Sequence, residues 1–180
     1  MVTLFLIVIY AAFISLGLPD SLLGVAWPVA QKEFGASLGD AGIISMVISV
    51  GTVISSLFSS KLLKRFGVGK VTAVSVLMTA LALLGFSFVP AFVFMILLAI
   101  PLGLGAGAVD SGLNEYVAEH YESRHMSWLH CFWGVGAMAG PLIMSQYMSL
   151  GVDWRMGYLT VAIIQFVLVA VLNRDSALMG

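Results

Sequence analysis

Apolar residues fill this chain in long blocks, separated by short polar breaks. Blocks of roughly 18 or more apolar residues can cross a bilayer as helices. Six can be read. Span one runs from about Val2 to Ala30, span two from Ala41 to Leu63 and span three from Val71 to Val89. Span four runs from Ala91 to Ala118, span five from Ser127 to Leu150 and span six from Met156 to Leu172. The breaks fall at Gln31–Asp40, Lys64–Lys70, Pro90, Glu119–Met126 and Gly151–Arg155. Pro90 and Pro141 suit helix starts or kinks rather than a linker between domains. The pattern predicts an all-α membrane protein, one six-helix transmembrane domain over residues 1–180.

Composition agrees. The chain is 61% hydrophobic and 9% charged, with mean hydropathy +1.07. Soluble domains run about 45–50% apolar and 25% charged, so the expected solvent is lipid. A net charge of −1 leaves no basic footprint for nucleic acid. Cys131 is the one cysteine, so it has no internal disulfide partner, and no metal-ligand spacing surrounds it. The first twenty residues lack a charged leading region, and their apolar run outlasts a secretory signal.

Lysine and arginine set the orientation. Lys61, Lys64, Arg65 and Lys70 flank the second break, Arg124 lies in the fourth, and Arg174 follows span six. Lys32 and Arg155 are the two on the other side. The majority side is the cytoplasmic one, which puts both termini in the cytoplasm. The plasma (inner) membrane is the expected location.

The chain also carries a repeat. Gly17-Leu-Pro-Asp-Ser-Leu-Leu23 and Gly107-Ala-Val-Asp-Ser-Gly-Leu113 both read G-x-x-D-S-x-L, 90 residues apart. The same offset places Ser55 on Ser145, Arg65 on Arg155 and Gly67 on Gly157. Span one thus matches span four. Three spans is an odd number, so the second copy enters from the opposite side. The expectation is a 3+3 inverted repeat, about 1–90 and 91–180, of the kind transporters use.

Acids at membrane depth are costly, rare and usually functional. Asp20 and Asp110 are therefore the candidate proton-coupling groups. Pro19 frees a backbone carbonyl one turn back and can open or kink span one. On an unbroken helix Asp20, Gly24, Trp27 and Gln31 share a face, which makes Trp27 and Gln31 candidate substrate contacts. Trp27 also suits an interfacial belt. In span four Gly103, Gly107, Asp110 and Asn114 follow one face, with the glycines suited to close packing. Asn114 can donate and accept, as a hydroxylated ligand requires. From the helix ends, Asp20 sits somewhat outside the midplane and Asp110 somewhat inside. His130, in Trp128-Leu-His-Cys-Phe-Trp133, can bond a ligand, relay a proton or make a structural hydrogen bond. Glu115, Glu119, Glu122, Arg124 and His125 read as a solvated loop network.

These features together resemble the N-terminal six-helix half of a major facilitator superfamily transporter, over the whole chain. The turn Ser60-Lys-Leu-Leu-Lys-Arg-Phe-Gly-Val-Gly-Lys70 is similar to the family's G-x-L-x-D-R-x-G-R-K loop. Arg65, Gly67 and Lys70 match this gating loop, whereas Lys64 replaces an acid and Ser60 a glycine. Within the family the chain most resembles the fucose–proton symporter group. Pro19-Asp20-Ser21-Leu22-Leu23 and Gly107-x-x-Asp110-x-x-x-Asn114 match that group's acidic motifs in spans one and four. The resemblance implies that Asp110 is the protonatable acid linked to substrate, Asp20 a second cavity acid and Asn114 a sugar contact. Gly136-x-x-x-Gly140-Pro141 is similar instead to the span-five motif of drug–proton antiporters.

The resulting expectation is a secondary transporter, or half of one, moving a small hydroxylated and sugar-like solute by alternating access. The coupling ion is H+, with Na+ as the alternative, and no cofactor or metal is called for. The partners are membrane lipid, the solute and a second six-helix half. That half is either a second copy in a parallel homodimer or a C-terminal half outside this chain. Two further readings are a drug–proton antiporter half and a non-transporting membrane interaction module. An intramembrane aspartyl protease fits poorly, because its acids must share a proton at close range.

Overall fold

The computed structural model describes residues 2–178, so residues 1, 179 and 180 at the edges of the predicted domain lie outside the described residues. Seven α-helices make six long passes. The first pass is split: α1 is Val2–Asp20 and α2 is Leu22–Phe34. A 3-10 turn, Leu38–Asp40, leads into α3, Ala41–Phe66. Then come α4 (Val68–Phe86), α5 (Phe92–His120), α6 (Ser123–Ser149) and α7 (Arg155–Leu178).

Local chemistry explains the boundaries. Gly35 ends α2 at φ +63°, and the Ala36 N–H returns to the Gln31 carbonyl at 2.9 Å, closing the helix end. The Ser37 N–H then donates to Asp40 Oδ2 at 2.8 Å, half of a capping box before α3. Between α3 and α4 the predicted break shrinks to one residue, Gly67, whose φ of +82° reverses the chain. Apolarity therefore underestimates α3 and α4, because Lys64, Arg65 and Lys70 are helical.

Among the described residues, five helical stretches are long and apolar enough to cross a membrane. The pass missing from that set is α6, 27 residues long but carrying Arg124, His125, His130 and Gln146. It belongs to the bundle through packing: α1 lies against α6, and α3 lies against α5. Exchanging the first three passes with the last three maps these two contacts onto each other. The remaining large contacts are α4 with α5 and α4 with α7.

Small residues build both crossings. A Cβ on Gly17, Gly136 or Gly140 would run into the backbone at Trp133, Ile14 and Leu18 respectively. A Cβ on Gly103 or Gly107 would run into the Ile48 and Thr52 carbonyls. Lipid supplies no hydrophobic drive between helices, so such close backbone approach is a main source of association. Serine and threonine add to the α3–α5 crossing. Thr52 Oγ1 lies 2.9 Å from the Ile48 carbonyl and 3.3 Å from that of Gly103, and Ser55 Oγ donates to the Leu104 carbonyl.

The interior has two apolar clusters. One packs Leu22, Trp27, Leu83, Phe86, Met95 and Trp154 toward the connections after α2, α4 and α6. The other packs Ile9, Phe13, Val76, Val109, Leu113 and Leu129 toward the opposite ends. Ser15, Thr79 and Gln165 are buried polar residues near the level where the clusters meet. On the first side Arg155 ties three helix ends together. It bonds Glu33 at 2.7 Å and Asp153 at 3.3 Å, donates to the Val89 carbonyl at 2.9 Å and stacks over Trp154.

Candidate functional site: an acidic cleft on the α1–α6 and α3–α5 crossings

The motif G-x-x-D-S-x-L does the same job twice. Gly17 admits α6 against α1, and Asp20 follows three residues later. Gly107 admits α3 against α5, and Asp110 follows three residues later. Each acid thus projects beside a tight crossing. Both line one cleft of about 380 Å³, with Thr52, His130 and Trp133 among its polar walls. His130 packs edge-on to Phe13, with ring centroids 6.4 Å apart.

The two carboxylates are held differently. Trp133 Nε1 donates to Asp20 Oδ2 at 3.0 Å, across from α6 to α1. Asn114 Nδ2 donates to Asp110 Oδ1 at 3.1 Å and to the Asp110 carbonyl at 2.9 Å, all within α5. Asn114 does not line the cleft, and its Oδ1 is buried without a partner among the described residues. These bonds place Asn114 to orient Asp110.

Pro19 behaves as its chemistry dictates. Having no N–H, it leaves the Ser15 carbonyl without its helical donor. Gln165 Nε2, reaching from α7, fills that place at 2.9 Å. Thr79 Oγ1 donates to Gln165 Oε1 at 2.8 Å. One residue past Asp20, Ser21 is a turn rather than a helical residue, and the pass restarts as α2.

That restart corrects two expectations. Trp27 does not face the cleft. It is 2% exposed, packs on Phe92, and donates Nε1 toward the Ser37 and Leu38 carbonyls at 3.2 and 3.0 Å. Nor is it a belt residue. Gln31 is likewise absent from the cleft lining. Both residues lie on α2, beyond the turn at Ser21 where the pass restarts.

The basic turn is also more particular than its motif. Gly67 supplies the reversal, Arg65 lies over the Phe66 ring at 5.3 Å, and Lys70 lines an apolar groove between α3 and α4. The expected loop network splits apart. Glu122 pairs with Arg124 at the surface, Tyr10 and His125 hydrogen-bond at 2.6 Å, and Ser60 donates to Glu115 at 2.8 Å. No cluster of metal-ligand side chains occurs among the described residues.

Sequence reasoning gave no role to Trp133, Thr52, Gln165 or Tyr158. Gln165, a lone amide in an apolar pass, was a readable signal. For Trp133 the signal was weaker: it precedes Gly136 and Gly140 on the helix that must pass Gly17.

Comparison with known proteins agrees with this architecture. The glucose/mannose transporter GlcP of Bacillus subtilis (strain 168) is 24% identical over 161 residues, 88% of this chain and 40% of that protein. The niacin transporter NiaP of Acinetobacter baylyi is 26% identical over 132 residues, 71% of this chain and 30% of that protein. Synaptic vesicle glycoprotein 2A of Rattus norvegicus is 23% identical over 146 residues, 78% of this chain and 20% of that protein. The chain spans at most 40% of the length of these relatives. The family is one of transporters rather than enzymes, which disposes of the protease reading. With residues 8–177 matching the model of the Major Facilitator Superfamily, this integral membrane chain belongs to that family.

Proposed function

We propose that the chain is one six-helix half of a secondary transporter that moves a small, uncharged, hydroxylated solute by alternating access. The coupling ion is the proton, exchanged at Asp110 with Asp20 as the second acid. The observation that carries this reading is the convergence of both membrane acids, His130 and Trp133 on one cleft. A similarity to a glucose/mannose transporter over 88% of the chain supports a sugar-like solute. The glycines that resemble an antiporter motif are occupied in admitting α1, so they lend that alternative no separate support.

The proposed frame is two three-helix repeats with both termini on the cytoplasmic face of the plasma (inner) membrane. The cleft is completed by a second half, which in a full member is related to the first by an axis along the membrane normal. A parallel second copy, or a C-terminal half beyond this chain, meets that need. The Arg65–Lys70 turn lies on the cytoplasmic side as the gating element, its cations directed to that second half or to lipid.

The test is uptake of labelled D-glucose into proteoliposomes of the complete assembly under an imposed proton gradient. Asp110→Asn is expected to reduce driven uptake to background while the protein remains monodisperse. Gradient-driven uptake equal to the wild type in that variant rejects Asp110 as the coupling acid. Uptake that follows a sodium gradient and ignores pH rejects the proton.

A further inference from the structure

A second cavity adjoins the acidic cleft and shares Leu16, Asp20, Ile48 and Ala106 with it. It has a volume of about 230 Å³ and lies inside this half, between α1, α3, α4, α5 and α7. Its polar walls are Asp20, Ser45, Ser49, Thr79, Tyr158 and Gln165. Tyr158 is 3% exposed, and its side chain lines the chamber. Its hydroxyl can both donate and accept. Gln165 is 1% exposed and uses Oε1 on Thr79 and one amide hydrogen on the Ser15 carbonyl, which leaves its second amide hydrogen. Ser45 and Ser49, one helical turn apart and exposed, stand at the mouth. The chamber has many times the space a single water needs.

We infer that this chamber is a binding subsite for an uncharged polyhydroxylated molecule of sugar size, held within the half itself. The chemistry of the walls suits the class that the proposed function names. No lysine, arginine or histidine lines the chamber, so a carboxylate ligand would meet Asp20 with nothing to neutralise it. A cation would find a single carboxylate, already accepting the Trp133 N–H, and otherwise neutral oxygens. A polyol instead finds donors and acceptors on several sides. The rings of Phe86 and Tyr158, 5.3 Å apart between centroids, offer an apolar wall for the C–H face of a sugar ring. Asp20 then connects two spaces, the chamber and the cleft it shares with Asp110.

The inference takes its solute class from the proposed function and can fail separately from it. The experiment is equilibrium binding of labelled D-glucose and nicotinate to the 180-residue chain in lipid nanodiscs, with no ion gradient. D-glucose is expected to bind in preference to nicotinate. Tyr158→Phe, which deletes one hydroxyl, is expected to weaken glucose binding about threefold to tenfold. Ser49→Leu, at the exposed mouth, is expected to weaken it at least as much, and it decides the matter should Tyr158→Phe fold poorly. Glucose binding unchanged in a folded variant of either kind overturns the subsite. So does a wild-type chain that binds no glucose, or prefers nicotinate. Glucose binding without proton-driven uptake in the full assembly would instead overturn the coupling proposal and leave the chamber standing.

Discussion

Asp20 and Asp110 occupy the same place in the repeated motif, yet their surroundings are built on different principles. The donor to Asp110 comes from Asn114, four residues along the same helix. The donor to Asp20 comes from Trp133, on a different helix. A rigid shift of α5 carries Asp110 and Asn114 together and leaves that pair intact. Movement of α6 against α1 breaks the Asp20 pair directly. Asp20 also ends a helix that stops at the following residue, whereas Asp110 sits far inside a 29-residue helix. The comparison assigns Asp20 to the conformationally sensitive position and Asp110 to the constant one.

The severest way to break the comparison is to force the α1–α6 crossing apart. A Cβ on Gly136 would collide with the Ile14 carbonyl, and backbone yields far less than a flexible side-chain end. Overpacking a core typically costs about 1–3 kcal/mol, and a backbone obstruction belongs at the upper end. Gly136→Ala is therefore expected to lower the thermal stability of the purified chain markedly, as read from the loss of monodisperse protein on heating. Gly134→Ala is its control, because nothing lies within 4 Å of the Cβ that change adds. Equal melting of the two variants would show that the crossing is looser than the structure has it.

The six passes were legible because lipid-facing and core positions are both apolar, which makes each helix a long block. The same fact hid the faces. Pro19 marked a kink in span one, but without a polar side to mark solvent nothing showed which way the pass faces beyond it, and so Trp27 and Gln31 were placed with Asp20. The glycine-plus-acid motif was legible because it is local, with the small residue and the acid three positions apart. Gln165 could be noticed but not assigned, since its partner, the carbonyl at Ser15, is 150 residues away in sequence. Arg155 was readable as a minority charge and as the match of Arg65 at the 90-residue offset. Its role in joining Glu33, Asp153 and Val89 depends on three helix ends meeting. Arg65, 90 residues earlier, has only a ring contact among the described residues, so equal spacing did not mean equal work.

A gentler change sharpens the contrast. Trp133→Phe keeps an aromatic ring at the crossing and removes the one donor that Asp20 has among the described residues. A hydrogen bond to a charged group contributes about 1.5–3 kcal/mol, so loss of this one should be visible in function. Proton-driven glucose uptake is expected to fall about tenfold, with melting close to that of the wild type. A matching loss in Asp20→Asn, with no further loss in the double variant, would show that Trp133 acts through Asp20. Additive losses would separate them and undo the assignment.

The smallest effect is expected at Asn114. Its amide serves Asp110 from the same helix, and Asp110 keeps its place on α5 whether or not the amide is there. Its Oδ1 is buried and unpartnered, so removing the amide also removes an unsatisfied acceptor. Asn114→Ala should therefore cost little stability and reduce uptake only a few-fold, through a less well oriented Asp110. Were Asn114 a direct sugar contact, as its motif implies, the same variant would raise the KM for glucose while leaving the maximal rate nearly unchanged. A fall in maximal rate at constant KM identifies the positioning role. That pattern, set beside the larger loss in Trp133→Phe, would confirm that the acid tethered across helices is the more vulnerable of the two.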